Sequence, residues 1–600
     1  MSIFRILDYP FNNIHLYNPT SRESVDMCGI LLHYSGTDDF SGNKFQLTDG
    51  SLASRQDLTI HDDYKIEASG IISATFKNIA PKIYDRGTDF CSYRALKHVE
   101  MFSSVLSLRH PLTIQPYTKN NGRFILQFNG ELYNVEIKAE QNDVQFTHNL
   151  LQENRGDVMR TVRDLDGEFA YCLTDVVDHK IYFGKDILGR KSLLYGLSKD
   201  GNELYVTSCL PDSAPLREPY TFHECKPSAV YVYDTDLKTL SEVEDESSLY
   251  ENFCVNTDWK SSPDRSVDEI NRILDSLQKS LEKSVGKRIS TVFPLREASA
   301  NYGILFSGGI DCTLLAAFCA EISKRNSLHP KIDLLNVSFS NLRAGTDPSQ
   351  TPDRKLARKS WKHLRKAYPF VKFNLVEIDV PYETYVGHKS KITGLMYPKD
   401  TVMDLSIAAA FYFASSGCGN IVNPDESRAP YISDCKVLLS GLGADELFGG
   451  YTRHERVFTS ISNQRKRILK NKPPKDTSKY NIEQDLVPEL RNELQHDLSN
   501  LYIRNMARDD RVVSCWSKEV RYPYLDAQFV RFSSKQVPLD MKLHYDKASG
   551  EITRKYALRL LASKVGLDWV AGEPKRAVQF GARSAKMETG TSHVKGTDKA

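Results

Sequence analysis

The chain has 600 residues, of which 40% are hydrophobic and 26% charged, enough to build two or more packed cores and too apolar for a disordered chain or a single small domain. Its 79 basic and 77 acidic residues nearly cancel, so no overall field holds nucleic acid or an anionic membrane, and the expected partners are small molecules or protein, with a homodimer as an allowed assembly. Eleven cysteines without a C-x-x-C pair, the absence of an 18-residue apolar run and an amino terminus unlike a signal peptide point to a reducing, cytoplasmic setting.

Residues 1–27 read as a polar extension ending at Met27. From Cys28 to about residue 240, short aromatic and β-branched runs such as FILQFNGELYN, GEFAYCLTDVV and HKIYFGKDILG are broken by Gly, Asn and Asp, which predicts a sheet-rich domain. Residues 241–264 are an acidic and polar linker. In the remainder, 265–600, VDEINRILDSLQKSLEKSV has helical spacing with an Asp ahead of it as a plausible cap. GILF, DLLNVSF and FNLVEIDV then alternate with helical segments, the pattern of βαβ units and a parallel sheet. The tail beyond Lys586 is polar and expected to be loose.

Two segments carry the chemistry of the second half. Leu305-Phe306-Ser307-Gly308-Gly309-Ile310-Asp311 is a strand running into a glycine turn that opens a helix. Glycines let the backbone approach a polyphosphate, and free N–H groups at the helix start supply an anion site. Val437 to Tyr451, VLLSGLGADELFGGY, is a second strand, turn and acidic pair, and a neighbouring strand end would set Asp445 opposite Asp311 so that two carboxylates share a Mg²⁺ charge. These segments resemble the SGGxD and SGxGADExFGGY motifs of asparagine synthetases. Asp510-Arg511 followed by EVRYPYLD from Glu519, and Lys555 with Arg559 in RKYALR, extend the resemblance. KRAVQFGARSAKME, KDTVMDLSI and MCGILLHYSG are most similar to the asparagine synthetase domain-containing proteins of eukaryotes.

That resemblance implies a fold of class α/β and α+β: an amino-terminal nucleophile (Ntn) type αββα glutaminase sandwich over 28–240, then a doubly wound parallel-sheet synthetase domain of the adenine nucleotide alpha hydrolase-like kind. It implies ATP, bound with Mg²⁺, at Leu305, Ser307, Gly308, Gly309, Asp311, Val337, Ser440 and Gly441, with Asp311 and Asp445 holding the metal and Lys555 stabilising the adenylate-forming and amide-forming transition states. The expected chemistry is carboxylate attack on the α-phosphate, loss of pyrophosphate, and ammonia attack on the acyl-adenylate. In the front half, the resemblance makes Cys28 the nucleophile with its own α-amine as base, Asn129 and Gly130 the oxyanion hole, and Arg109, Asn129, Gly130, Glu131 and Asp143 the glutamine site. Arg86 to Asp89 and Asp186 to Tyr195 match further family turns.

Several positions depart from the pattern. The 27 residues ahead of Cys28 would block its amine, for which a start at Met27 is the favoured explanation. Ser104 stands where the family's glutamine-carboxylate arginine belongs, with Arg109 five residues on. Cys312 replaces a serine, Leu442 an acidic residue and Asp404 an arginine. The first expectation is therefore asparagine from aspartate, glutamine and ATP. The alternatives are the same mechanism on another carboxylate, or a degenerate binding or regulatory protein.

Overall fold

The structure is a computed structural model that describes residues 28–49, 64–119, 122–243, 253–260, 265–294, 298–459, 482–546, 549, 551–587 and 595–600; the extension 1–27 and most of the linker lie outside them. Two sheets face each other in the front half. The first has six strands, Gly29–Ser35 at its heart between Glu203–Thr207 and Val99–Val105, and the second has five, led by Phe124–Leu132 and Gly167–Asp175. The alternation of Gly29–Ser35 explains the layering, because successive side chains of a strand point to opposite faces. Ile30, Leu32 and Tyr34 enter the core between the sheets with Met101, Ile125, Ala170 and Cys172. Leu31 points the other way, to Phe76, Ile79 and Ile83 of the outer helix Ala74–Tyr84. On the far side Phe128 and Leu132 meet Val144 and Leu151 of the helix Asp143–Glu153. The result is the expected αββα sandwich.

The back half is built on a seven-stranded sheet in the order Arg428–Ile432, Cys418–Val422, Lys372–Val380, Lys331–Phe339, Tyr302–Leu305, Val437–Leu439, Glu519–Arg521. The last five are parallel, and Cys418–Val422 and Arg428–Ile432 form an antiparallel hairpin at one edge. Lys331–Phe339 is buried at every residue after Lys331, as suits a strand covered on both faces. The chain builds outward from Tyr302–Leu305 on one side and returns to pair Val437–Leu439 on the other. That reversal of strand order is where ligands settle in open α/β sheets, beyond the carboxyl ends of the strands.

The long helix Val267–Ile289 leads into this sheet. Its cap is Ser266, whose side chain accepts from the Glu269 N–H, and not the aspartate suggested by the sequence. Asp268 and Glu269 in the first turn and Lys287 and Arg288 in the last both favour the helix dipole. The tail also differs from expectation. Although 588–594 lie outside the described residues, Asp598 and Gly596 accept from the Val402 and Met403 N–H groups, so the end of the chain docks on a helix start.

Buried charges join the halves. Arg86 pairs with Asp510 at 2.8 Å, Glu131 with Arg521 at 2.9 Å, Glu168 with Arg288 at 2.8 Å and Lys191 with Glu519 at 3.3 Å. Removing one member of such a pair leaves an uncompensated buried charge, at a cost of about 3–5 kcal/mol.

Candidate functional site

In the back half, the strand ends Leu305 and Leu439 are adjacent: Gly303 and Ile304 register against Leu438 and Leu439. The turns that follow carry Asp311, in the first turn of the helix Ile310–Arg325, and Asp445, in the short helix Ala444–Leu447. One ammonium joins them. Lys555 Nζ lies 2.6 Å from Asp311 Oδ2 and 2.7 Å from Asp445 Oδ1, and Lys575 Nζ lies 3.1 Å from Asp445 Oδ2. Lys555 is 1% exposed and precedes the helix Tyr556–Lys564 in a left-handed conformation, φ +56°, so it is a buried positioned group and not an exposed helical lysine. Gly450 leaves the room this needs, since a Cβ there would run into the Asp445 carboxylate and the Lys555 side chain.

The electrostatics follow from burial against these pairings. Burial raises the Asp311 carboxyl above the ordinary range, with Lys555 opposing. Burial also works to raise Asp445, but Lys555 and Lys575 together override it and hold that carboxyl well below the range. Lys555 loses charge stabilisation by burial and regains more from the two aspartates, so it stays protonated. Asp311 Oδ1 is buried without a hydrogen-bond partner, and such a pair of carboxylates at a strand-end crevice is a donor set suited to a hard cation arriving with phosphates.

The cluster opens into a cavity of about 420 Å³, within the size range of ligand pockets. Leu305, Ser307, Asp311, Val337, Ser440, Gly441 and Asp445 all line it. Gly308 and Gly309, in the turn between Ser307 and Asp311, do not themselves line it. Gly308 has φ +77° and presses on the Leu356–Ala357 backbone, where a Cβ would not fit, and the Gly309 N–H donates to Ser307 Oγ at 3.3 Å. Cys312 Sγ donates to the Gly309 carbonyl at 3.3 Å, a helix-start contact that a serine would also make.

The far wall carries a second charge group. Asp404 Oδ1 accepts from Arg508 at 2.6 Å, and Arg508 also pairs with Asp509 at 2.8 Å. Burial pushes the Asp509 carboxyl up to about 6 against the pull of Arg508, and its Oδ2 is buried without a hydrogen-bond partner. Leu442 lines the same cavity.

In the front half, Cys28 stands just before the strand Gly29–Ser35. Its Sγ lies 3.6 Å from the Leu106 carbonyl, to which it donates, and accepts from the Leu106 N–H at 3.4 Å. Burial pushes the thiol up to about 12. Asn129 sits on the strand Phe124–Leu132. In the amide orientation that satisfies both neighbours, its nitrogen donates to the Cys28 carbonyl at 3.1 Å and its oxygen accepts from Arg86 at 3.0 Å. Gly130 has φ +152° and packs on the Glu168 carbonyl too closely for any side chain. Glu131, Asp143 and Gly130 line a cavity with Cys28. Arg109, rather than offering its guanidinium to a carboxylate ligand, donates to Glu131 Oε1 at 2.6 Å and to the Leu132 carbonyl at 2.8 Å. Burial, then Glu131, pushes the Asp143 carboxyl up to about 8.

Three groups lie in motifs that the sequence reading matched to the family, but their place in these sites is visible only in the structure. Lys575 lies in KRAVQFG, which carried similarity but no charge-pairing signal. Arg86 holds the Cys28 carbonyl at 3.1 Å while pairing with Asp510. Glu519 belongs to the synthetase sheet yet lines the Cys28 cavity.

Fold and sites together define a two-part protein, a glutamine amidotransferase-like sandwich joined to an asparagine synthetase-like α/β domain. Family profiles agree: "Asparagine synthase" matches residues 429–593 and "Glutamine amidotransferase domain" matches 106–212. The asparagine synthetase domain-containing protein YML096W of Saccharomyces cerevisiae is 39% identical over 95% of this chain and 98% of its own. The asparagine synthetase domain-containing protein 1 of Mus musculus is 28% identical over 84% of this chain and 92% of its own. A putative glutamine-hydrolysing asparagine synthetase of Methanocaldococcus jannaschii is 25% identical over 79% and 80%. The chain belongs to the asparagine synthetase domain-containing protein family. No described helix is long and apolar enough to cross a membrane.

Proposed function

We propose that the back half is an ATP-dependent amide synthetase that activates a carboxylic acid as its acyl-adenylate and passes it to ammonia. The observation that carries this reading is the buried Lys555–Asp311–Asp445 cluster, whose two aspartates line the 420 Å³ cavity. The substrate Mg-ATP would lie along Ser307, Gly308, Gly309, Ser440 and Gly441, with its metal against Asp311 and Asp445 and its nucleoside toward Leu305 and Val337. Lys555, protonated and pinned between the aspartates, is placed to meet charge that develops on the α-phosphate as the carboxylate oxygen bonds to phosphorus and pyrophosphate departs. Amide formation then breaks the acyl–AMP bond, releasing AMP.

Aspartate is the first acceptor to test, giving asparagine. The Asp404–Arg508–Asp509 group supports a second acceptor. There Arg508 is shared by two acids and the Asp509 carboxyl keeps an unpartnered oxygen, a wall suited to an ammonium or hydroxyl group on the acid. Incubating the chain with Mg-ATP, ammonium chloride and either aspartate or a panel of amino- and hydroxy-acids tests both. AMP and pyrophosphate formed in step with asparagine support the first acceptor, and turnover on another acid alone supports the second. Cleavage of ATP with no acid dependence would contradict the proposal.

In the front half, glutamine is the proposed ammonia donor, its amide carbon attacked by the Cys28 thiolate. The protonated thiol and the position of Arg109 bear directly on when that happens.

A further inference from the structure

The cavity beside Cys28 is small. At about 30 Å³ it has room for a water or two and not for an amino acid. Among the described residues its lining includes three carboxylates, Glu131, Asp143 and Glu519, and one cation, Arg109. Glu519 is already shared by Arg521 at 2.6 Å and Lys191 at 3.3 Å, which leaves Asp143 and the Glu131 Oε1 that faces Arg109 as the acidic subsite. An amino acid whose amide end lies at the Cys28 thiol would seat its ammonium on such a subsite by donating to the Glu131 and Asp143 oxygens.

Arg109 fills that subsite. Its guanidinium donates to Glu131 Oε1 and the Leu132 carbonyl, its Nε is 3.7 Å from Asp143 Oδ1, and that Nε is buried without a hydrogen-bond partner. The Glu131 carboxylate is further held by Arg521 at 2.9 Å, so both of its oxygens already face a guanidinium while Arg109 stays.

We infer that Arg109 is a tethered competitor of glutamine: its guanidinium occupies the ammonium subsite, and glutamine binds the Cys28 cavity only when Arg109 withdraws. The inference rests on reading that cavity as a glutamine site. It makes solution ammonia the donor for the synthetase half in the observed arrangement. Affinity for glutamine is reduced by the fraction of molecules in which Arg109 has withdrawn.

Calorimetric titration of glutamine into the full chain and into Arg109→Ser tests it, with circular dichroism and thermal unfolding to establish that both are folded. The expected result is a gain in glutamine affinity of roughly ten-fold or more on emptying the subsite. Arg109→Lys, which keeps the charge but cannot reach Glu131 and the Leu132 carbonyl together, is expected to fall between the two. Wild type binding glutamine as tightly as Arg109→Ser, or more tightly, overturns the inference while leaving the glutamine site intact, because Arg109 would then be a neutral bystander or a ligand. Folded proteins that all ignore millimolar glutamine overturn the inference and the glutamine reading together.

Discussion

Replacing Lys555 by methionine keeps the stem length and removes the one charge that lies between Asp311 and Asp445. Two unit charges 4 Å apart attract by about 4 kcal/mol at an effective dielectric of about 20, and the contacts here are 2.6 and 2.7 Å. Lys575 still faces Asp445 at 3.1 Å, so the uncompensated group is Asp311. Its carboxyl is already raised by burial against the pull of Lys555, and without that pull it moves higher. The variant is expected to lose about 3–5 kcal/mol at pH 8, the cost of breaking a buried pair, which is a large share of a typical total stability. A carboxyl whose folded pKa exceeds its unfolded value contributes stability below the unfolded value and loses it as pH rises through the folded one. Lys555→Met should therefore recover relative to wild type as pH falls from 8 into the acid range, where Asp311 takes up a proton. Chemical denaturation across that range measures it, and acid-dependent AMP formation should drop by roughly 10²–10³-fold. A variant as stable as wild type at pH 8, with turnover within a few-fold, would refute the reasoning.

Further outcomes follow from other contacts. Arg521→Met strips Glu131 and Glu519 of their shared partner across the two halves and should cost about 3–5 kcal/mol, read by denaturant melts. Gly450→Ala drives a methyl into Asp445 and Lys555 and should abolish AMP formation while circular dichroism stays close to wild type. With its thiol pushed up to about 12, Cys28 should resist iodoacetamide at pH 8 in the folded protein and react on unfolding, as peptide mapping by mass spectrometry would record. Asp143, pushed up to about 8, makes wild type lose stability as pH climbs from about 4 to 8, and Asp143→Asn should flatten that slope in pH-dependent melts.

The motifs that were legible in the sequence are those whose parts lie close along the chain. Ser307 to Asp311 and Ser440 to Asp445 each fit a strand, a turn and a helix start, so backbone physics alone sets them at sheet ends. Parallel pairing of Tyr302–Leu305 with Val437–Leu439 then brings the aspartates together. What stayed hidden depends on contacts between distant segments. Arg86 meets Asp510 across 424 positions and Arg521 meets Glu131 across 390, and no periodicity records such a partner. Arg109 was visible as a nearby cation for a carboxylate. Whether it faces a ligand or the protein's own Glu131 depends on how the segment after Val99–Val105 lies against the strand Phe124–Leu132, which composition does not encode. The Ser266 cap was missed for a local reason: serine and aspartate compete for the same role, and only the backbone decides where the first turn begins.

The account stands on a carboxylate attacking the α-phosphate of ATP at the Lys555 cluster, and oxygen transfer reads that step directly. With the acceptor acid labelled by ¹⁸O in its carboxyl group, one labelled oxygen should appear in AMP and none in pyrophosphate, as the acyl-adenylate is cleaved by ammonia. Label appearing in inorganic phosphate with ADP as the nucleotide product, or AMP formed without any ¹⁸O, would contradict it.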